Sequence, residues 1–166
     1  MALTRLIEIL EQLDEVHTQM LELAATKKRA IIDNKVEVLI DILNRDSKLT
    51  KQVGQLEEQR GEAAYSFLQG VGIRSNLNLN LTELSRLVFD PEEKQKLLHI
   101  QGRLSGTLHQ LKEANQLNQL LLQQAISYID FSIESMSYYS EMQVTYHHPA
   151  DKTGRVQVSG LFDTRG

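Results

Sequence analysis

The sequence predicts an all-α protein, an elongated antiparallel bundle of three long helices with a short extra helix and a flexible C-terminal tail. Its 166 residues include only 2 Pro and 9 Gly, so few positions interrupt helical segments. Apolar residues recur at every third or fourth position through three long segments, which is the period of one helix face. Aromatic residues make up only 5% and Trp is absent. This composition favours long thin helices, because aromatic side chains supply the largest single buried areas of a compact core.

The first helix is predicted from the N-terminal end to about residue 33, because apolar residues from Leu3 to Ile31 form one broad face. A break follows at Asp33–Lys35. There Asn34 can cap a second helix, and Glu37, three residues later, can complete a capping box.

The second helix is predicted from the seam spacing of its apolar residues. These are Val36, Leu39, Ile42, Leu43, Leu49, Val53, Leu56, Ala63, Ala64, Phe67 and Leu68. Gly54 and Gly61 lie in its interior at a cost of roughly 1 kcal/mol each, which indicates either close approach of a neighbour, local bending or simple tolerance. Gly70 and Gly72 end the helix, and residues 70–80 are predicted to be a loop.

A short helix is predicted after Asn80, which can form a capping box with Glu83. Its apolar residues, the last of them Phe89, are expected to cap one end of the bundle. Asp90 and Pro91 then give the strongest boundary signal in the chain, an N-cap followed by Pro at the first helical position. The third long helix is predicted to begin there.

The third helix carries two apolar stripes where packing in a bundle needs one. The first is expected to pack against the other two helices and contains Leu97, Ile100, Leu104, Leu108, Leu111, Leu122, Ala125, Ile129 and Met136. Asn115 and Asn118 fall on it, either as a polar layer that fixes register or as contacts to a docked segment. The second contains Ala114, Leu117, Leu121, Tyr128 and Phe131. Because the first stripe already serves the bundle, the second is the candidate for binding another protein.

The helical periodicity stops after about Ser140, which predicts a bundle domain over residues 1–142 and a tail over residues 143–166. A formal net charge of −4 and the lack of a basic stripe argue against nucleic acid binding. No apolar run reaches membrane-spanning length, so no membrane insertion is expected. The absence of Cys fits a reducing compartment, and the cytoplasm is the expected location.

No enzyme is expected, because the sequence has no nucleophile motif, glycine-rich phosphate loop or HExxH motif. No cofactor is implied. The adjacent His147 and His148 are interpreted as solvated residues, and no metal site is predicted.

Residues 111–121, LKEANQLNQLL, resemble the L-x-x-x-N-x-x-N-x-x-L pattern of the FlgN family of flagellar export chaperones. Residues 3–10 (LTRLIEIL), 56–60 (LEEQR) and 161–163 (LFD) are also similar to family members from Gram-positive bacteria. The resemblance extends over nearly the whole chain. It implies a cytoplasmic, ATP-independent chaperone that binds the C-terminal helical segments of the hook-associated proteins FlgK and FlgL, prevents their premature assembly and delivers them to the flagellar type III export gate.

The resemblance also implies that a Tyr just beyond the long helix docks at the export gate. Tyr146 matches this position best, although residues 147–149 (HHP) replace the usual Tyr-Gly step. The residues expected to bind the client are Asn115, Leu117, Asn118, Leu121, Tyr128 and Phe131. Two alternatives stay open: a structural coiled coil that self-associates, and a regulator that sequesters a transcription factor. A chaperone is expected to be a monomer or a weak homodimer, whereas the structural coiled coil requires a stable oligomer.

Overall fold

The computed structural model describes residues 1–74 and 79–145. This part of the chain forms four helices, α1 (Ala2–Ile32), α2 (Val36–Gly70), α3 (Leu81–Arg86) and α4 (Pro91–Thr145). No strand occurs within those two ranges, and the predicted all-α class is confirmed. None of the helices described is long and apolar enough to cross a membrane.

The chain divides into two units, Met1–Ala125 and Ile126–Gly166, and α4 contributes residues to both. The predicted boundary at residue 142 falls inside α4, which continues to Thr145. The rest of the predicted tail, residues 146–166, lies outside the described residues.

The core of the first unit lies between the N-terminal half of α1, the C-terminal half of α2, the short α3 and the N-terminal part of α4. Its most deeply buried large side chains are Leu6, Ile9, Leu10, Leu13, Leu84 and Leu97. Burial of one such side chain contributes about 1.5–3 kcal/mol. This cluster therefore holds the four helices of the first unit together.

The connection between α1 and α2 differs from the prediction. Asn34 has a φ of 53° and does not cap α2, whose N-cap is Lys35. The backbone N–H of Lys35 donates to the Ala30 oxygen (2.9 Å), and that of Asn34 donates to the Ile31 oxygen (3.3 Å). This pattern is a Schellman motif, in which a left-handed residue ends the preceding helix. The predicted N-cap was wrong because Asn also tolerates the left-handed conformation.

The boundaries of α3 and α4 follow the predicted signals. The Asn80 side chain accepts a hydrogen bond from the Glu83 backbone N–H, and the Glu83 carboxylate accepts one from the Asn80 backbone N–H, both at 2.9 Å. Asp90 accepts from the Glu92 backbone N–H at 3.1 Å. Leu84 of α3 is buried in the core, whereas Phe89 is 89% exposed, so the expectation that Phe89 caps the bundle was wrong.

The interior glycines of α2 do not mark a close helix contact. A Cβ atom built at Gly54 or Gly61 would meet no other atom within 4 Å. Close approach of a neighbouring helix is therefore not the reason for glycine at these two positions.

The face of α4 that packs in the first unit follows a regular alternation of three and four residues. Its buried and half-buried members are Leu97, Ile100, Leu104, Thr107, Leu111, Ala114, Asn118, Leu121 and Ala125. The prediction was right for Leu97, Ile100, Leu104, Leu111, Asn118 and Ala125. Leu108 and Leu122, which were assigned to this face, are 42% and 36% exposed, and Asn115 is exposed as well. Thr107, Ala114 and Leu121 hold those places instead.

Candidate functional site

A buried carboxylate joins α1 to α4 in the first unit. Asp14 is 3% exposed. One of its oxygens accepts a hydrogen bond from Arg103 Nη2 at 2.8 Å, and the other accepts one from Thr107 Oγ1 at 2.8 Å. A buried carboxylate needs such partners, because leaving it unpaired costs far more than a neutral group would. Thr107 thus lies on the packed face because its hydroxyl binds Asp14. A pattern of apolar residues does not reveal such a position.

Asn118 makes a second polar connection between the same two helices. It is 3% exposed, and its Nδ2 donates to the backbone oxygen of Ala24 at 2.8 Å. The paired positions increase together along both helices, from Asp14 with Thr107 to Ala24 with Asn118, so α1 and α4 run in the same direction. The sequence allowed Asn118 to be either a polar residue that fixes helix register or a contact to a docked segment. The hydrogen bond to Ala24 agrees with the first interpretation.

Asn115 lies in a different environment, although it belongs to the same sequence pattern. Its side chain is exposed and lines an open groove of about 400 Å³ between α1, α2 and α4. His17 lines the same groove, and its Nδ1 donates to the Leu13 backbone oxygen at 2.6 Å. The two Asn residues therefore have separate roles, one inside the bundle and one at its surface.

The other predicted client-binding residues are divided between the two units. In the first unit Leu117 is 40% exposed, whereas Leu121 is half-buried on the packed face of α4. Tyr128 and Phe131 lie in the second unit and are 71% and 67% exposed. Tyr146, the predicted gate contact, lies outside the described residues.

The second unit presents a dense group of exposed large apolar side chains, ten of them from Ile126 to Val144. We call it the C-terminal apolar surface; its members are Ile126, Tyr128, Ile129, Phe131, Ile133, Met136, Tyr138, Tyr139, Met142 and Val144. A helix of a globular protein normally buries one apolar stripe and exposes polar residues elsewhere. Exposed apolar side chains concentrated in this way are typical of interaction sites.

This surface is ordered in two stripes along the helix. An aromatic stripe contains Tyr128, Phe131, Tyr138 and Met142, and an aliphatic stripe contains Ile126, Ile129, Ile133 and Met136. The sequence prediction found the first part of the aromatic stripe. It did not include Ile126 and Ile133, and it assigned Ile129 and Met136 to the stripe that packs in the bundle. The spacing of these four residues by three and four positions is the signal that could have identified a separate stripe.

A helical bundle with an exposed apolar helix surface has the features of a helical binding protein. The family model of FlgN, described as "FlgN protein", matches residues 1–154. The chain therefore belongs to the FlgN family, a family of flagellar export chaperones, and the resemblance seen in the sequence is confirmed.

One relative is a protein of Bacillus subtilis (strain 168) named "Uncharacterized protein YvyG". The two chains are 26% identical over 136 residues, which cover 82% of this chain and 81% of the relative. No solved structure matches the chain.

Proposed function

We propose that this protein is a cytoplasmic flagellar export chaperone. It binds the C-terminal helical segments of the hook-associated proteins FlgK and FlgL, prevents their premature assembly and delivers them to the export gate. Membership of the FlgN family supports the general role. The single observation that supports the binding site is the C-terminal apolar surface, whose ten large side chains are all at least 37% exposed.

The physical basis of the proposal is the pairing of two apolar helix faces. A client segment that assembles through an amphipathic helix is held apart from other copies when its apolar face is covered. Anchors at helical spacing on the chaperone are suited to that task. Tyr rings and flexible Met side chains adapt to different partner surfaces, which fits a site that accepts two clients. Tyr128 and Phe131 are the central contacts in this proposal.

The residues of the first unit contribute unequally to the proposed site. Leu117 and Asn115 are exposed and are kept as additional client contacts. Asn118 and Leu121 lie on the packed face of α4, and we assign them to the bundle. The proposed client site therefore loses Asn118 and Leu121 in the first unit and gains the other residues of the C-terminal apolar surface in the second.

Titration calorimetry with purified FlgK and FlgL tests this function. We expect the full chain to bind both intact proteins and to lose measurable binding when their C-terminal helical segments are deleted. Equal affinity for the intact and truncated proteins would overturn the proposed client site.

Self-association is the second candidate, and the exposed apolar side chains of the second unit favour it. A structural coiled coil requires a stable oligomer in the absence of any client. Sedimentation at several protein concentrations separates the two functions, because the chaperone is expected to be a monomer or a weak dimer. A concentration-independent oligomer would favour the structural role.

Export-gate docking is assigned to Tyr146 on the family pattern. The position follows directly on Thr145, the last described residue of α4. In this proposal client binding and gate docking involve different residues, so a change at Tyr146 affects delivery and leaves client affinity intact.

A further inference from the structure

The C-terminal apolar surface is accompanied by charges of one sign. From Glu113 to Thr145, both included, the sequence contains four acidic residues and no Lys, Arg or His. Three of these acids, Asp130, Glu134 and Glu141, lie in the second unit, and all three are exposed. None of the three takes part in an ion pair within the described ranges.

The three acids form one line along the helix, which we call the acidic stripe. Glu134 follows Asp130 by four positions and Glu141 follows Glu134 by seven, so all three share a face. Ile126 of the aliphatic stripe precedes Asp130 by four positions, and Tyr138 of the aromatic stripe follows Glu134 by four. Since residues four apart are neighbours on a helix surface, the acidic stripe lies between the two apolar stripes. A helix docked on either stripe brings one of its edges beside these carboxylates.

From this arrangement we propose that the C-terminal apolar surface selects an amphipathic helix whose apolar stripe is flanked on one edge by Lys or Arg. The inference rests on the proposed function and specifies the chemistry of the segment bound at that site. A second copy of this chain fits the surface less well, because it would bring a second acidic stripe close to the first. An anionic membrane is disfavoured for the same electrostatic reason.

The expected size of the effect follows from the exposure of these groups. One exposed ion pair contributes about 0.2–1 kcal/mol, which corresponds to about 1.4- to 5-fold in affinity. Three such pairs therefore change the dissociation constant by roughly 3- to 100-fold. The effect is screened by salt, since the Debye length shortens from about 10 Å at 0.1 M to about 3 Å at 1 M.

Two synthetic helical peptides test the inference. They share one Leu stripe and differ only in its flanking residues, which are Lys in one peptide and Glu in the other. Each is titrated against the full chain and against the triple variant Asp130→Asn, Glu134→Gln, Glu141→Gln. We expect the Lys peptide to bind the natural chain roughly 3- to 100-fold more tightly than the Glu peptide. We also expect this preference to fall to within about twofold in the triple variant and in about 1 M salt.

Equal affinity of the natural chain for the two peptides, with both weakened by Phe131→Ala, overturns the charge selection and leaves the proposed function standing. Binding of neither peptide, together with no binding of FlgK or FlgL, overturns both. A stable dimer of the natural chain at low salt that Phe131→Ala dissociates overturns the inference, because it would show that the acidic stripe does not keep two copies of this surface apart. If the triple variant fails to fold, the charge selection is tested on the natural chain alone, by comparing its preference for the Lys peptide at low and high salt.

Discussion

The amide of Asn118 donates a hydrogen bond of 2.8 Å to the backbone oxygen of Ala24, and both residues are buried in the first unit. The contact joins positions 94 residues apart in the sequence. It places one Asn of the family-like pattern inside the bundle, whereas Asn115 of the same pattern is at the surface. The pattern therefore combines a structural residue with an exposed one.

The Asn118→Ala variant is expected to unfold more easily and to bind clients normally. Loss of one buried hydrogen bond lowers the free energy of unfolding by about 0.5–1.5 kcal/mol, and the space left behind adds to that loss. Urea unfolding measures the stability, and calorimetry with FlgK measures the affinity. Weaker client binding by fully folded Asn118→Ala would contradict this prediction and would show that Asn118 contributes to client binding.

Arg103 is 58% exposed, but its partner Asp14 is buried, so we expect Arg103 to matter more for stability than an Arg whose carboxylate partner is exposed. Replacing Arg103 by Met leaves Asp14 without its cation and is expected to lower the free energy of unfolding by about 1–3 kcal/mol. The matched control is Arg45→Met, because the ion pair of Arg45 with Asp41 is exposed on both sides and is worth about 0–0.5 kcal/mol. Equal losses in the two variants, measured by urea unfolding, would contradict the role given to Asp14.

A pair of leucines tests which face of α4 packs in the bundle. Leu111 is 7% exposed and Leu108 is 42% exposed. We expect Leu111→Ala to destabilise the protein by about 2–5 kcal/mol and Leu108→Ala by less than about 1 kcal/mol. A larger loss for Leu108→Ala in thermal unfolding would contradict the assignment of Leu108 to the exposed side of α4.

Tyr146 is expected to act after client binding. A Tyr146→Ala variant should retain the affinity of the natural chain for FlgK and FlgL but support less export of these proteins from flagellated cells. The measurement is the amount of FlgK in the culture medium, with the cellular level of the chaperone as the control. Normal export by the Tyr146→Ala variant would show that Tyr146 is not the contact with the export gate.

Local signals in the sequence were enough to predict the helices and most of their ends. The capping box of Asn80 and Glu83, and the start of α4 at Pro91, depend only on residues a few positions apart. Asn34 was misjudged because the same residue type serves as an N-cap and as a left-handed terminator, and its immediate neighbours do not decide between the two.

The packed face of α4 was harder to predict because some of its residues are buried through contacts with residues far away in the sequence. Leu108 is the more apolar residue, but Thr107 lies on that face because its hydroxyl reaches Asp14, 93 residues away. Asn118 is buried for a similar reason. An apolar pattern also does not show whether a stripe is covered, so Ile129 and Met136 were assigned to the bundle although both are exposed.

The central claim is that the C-terminal apolar surface binds the client, and Phe131 tests it most directly. Phe131 is 67% exposed, so Phe131→Ala should change the free energy of unfolding by no more than about 0.5 kcal/mol. Phe89→Ala is the matched control, since Phe89 is 89% exposed and lies in the first unit.

The deciding measurement is calorimetric titration of the C-terminal segment of FlgK into the natural chain and these two variants. We predict that Phe131→Ala weakens binding by at least about tenfold, as for an aromatic anchor residue, and that Phe89→Ala leaves it within about twofold. Unchanged affinity in folded Phe131→Ala, or an equal loss in both variants, would contradict the account.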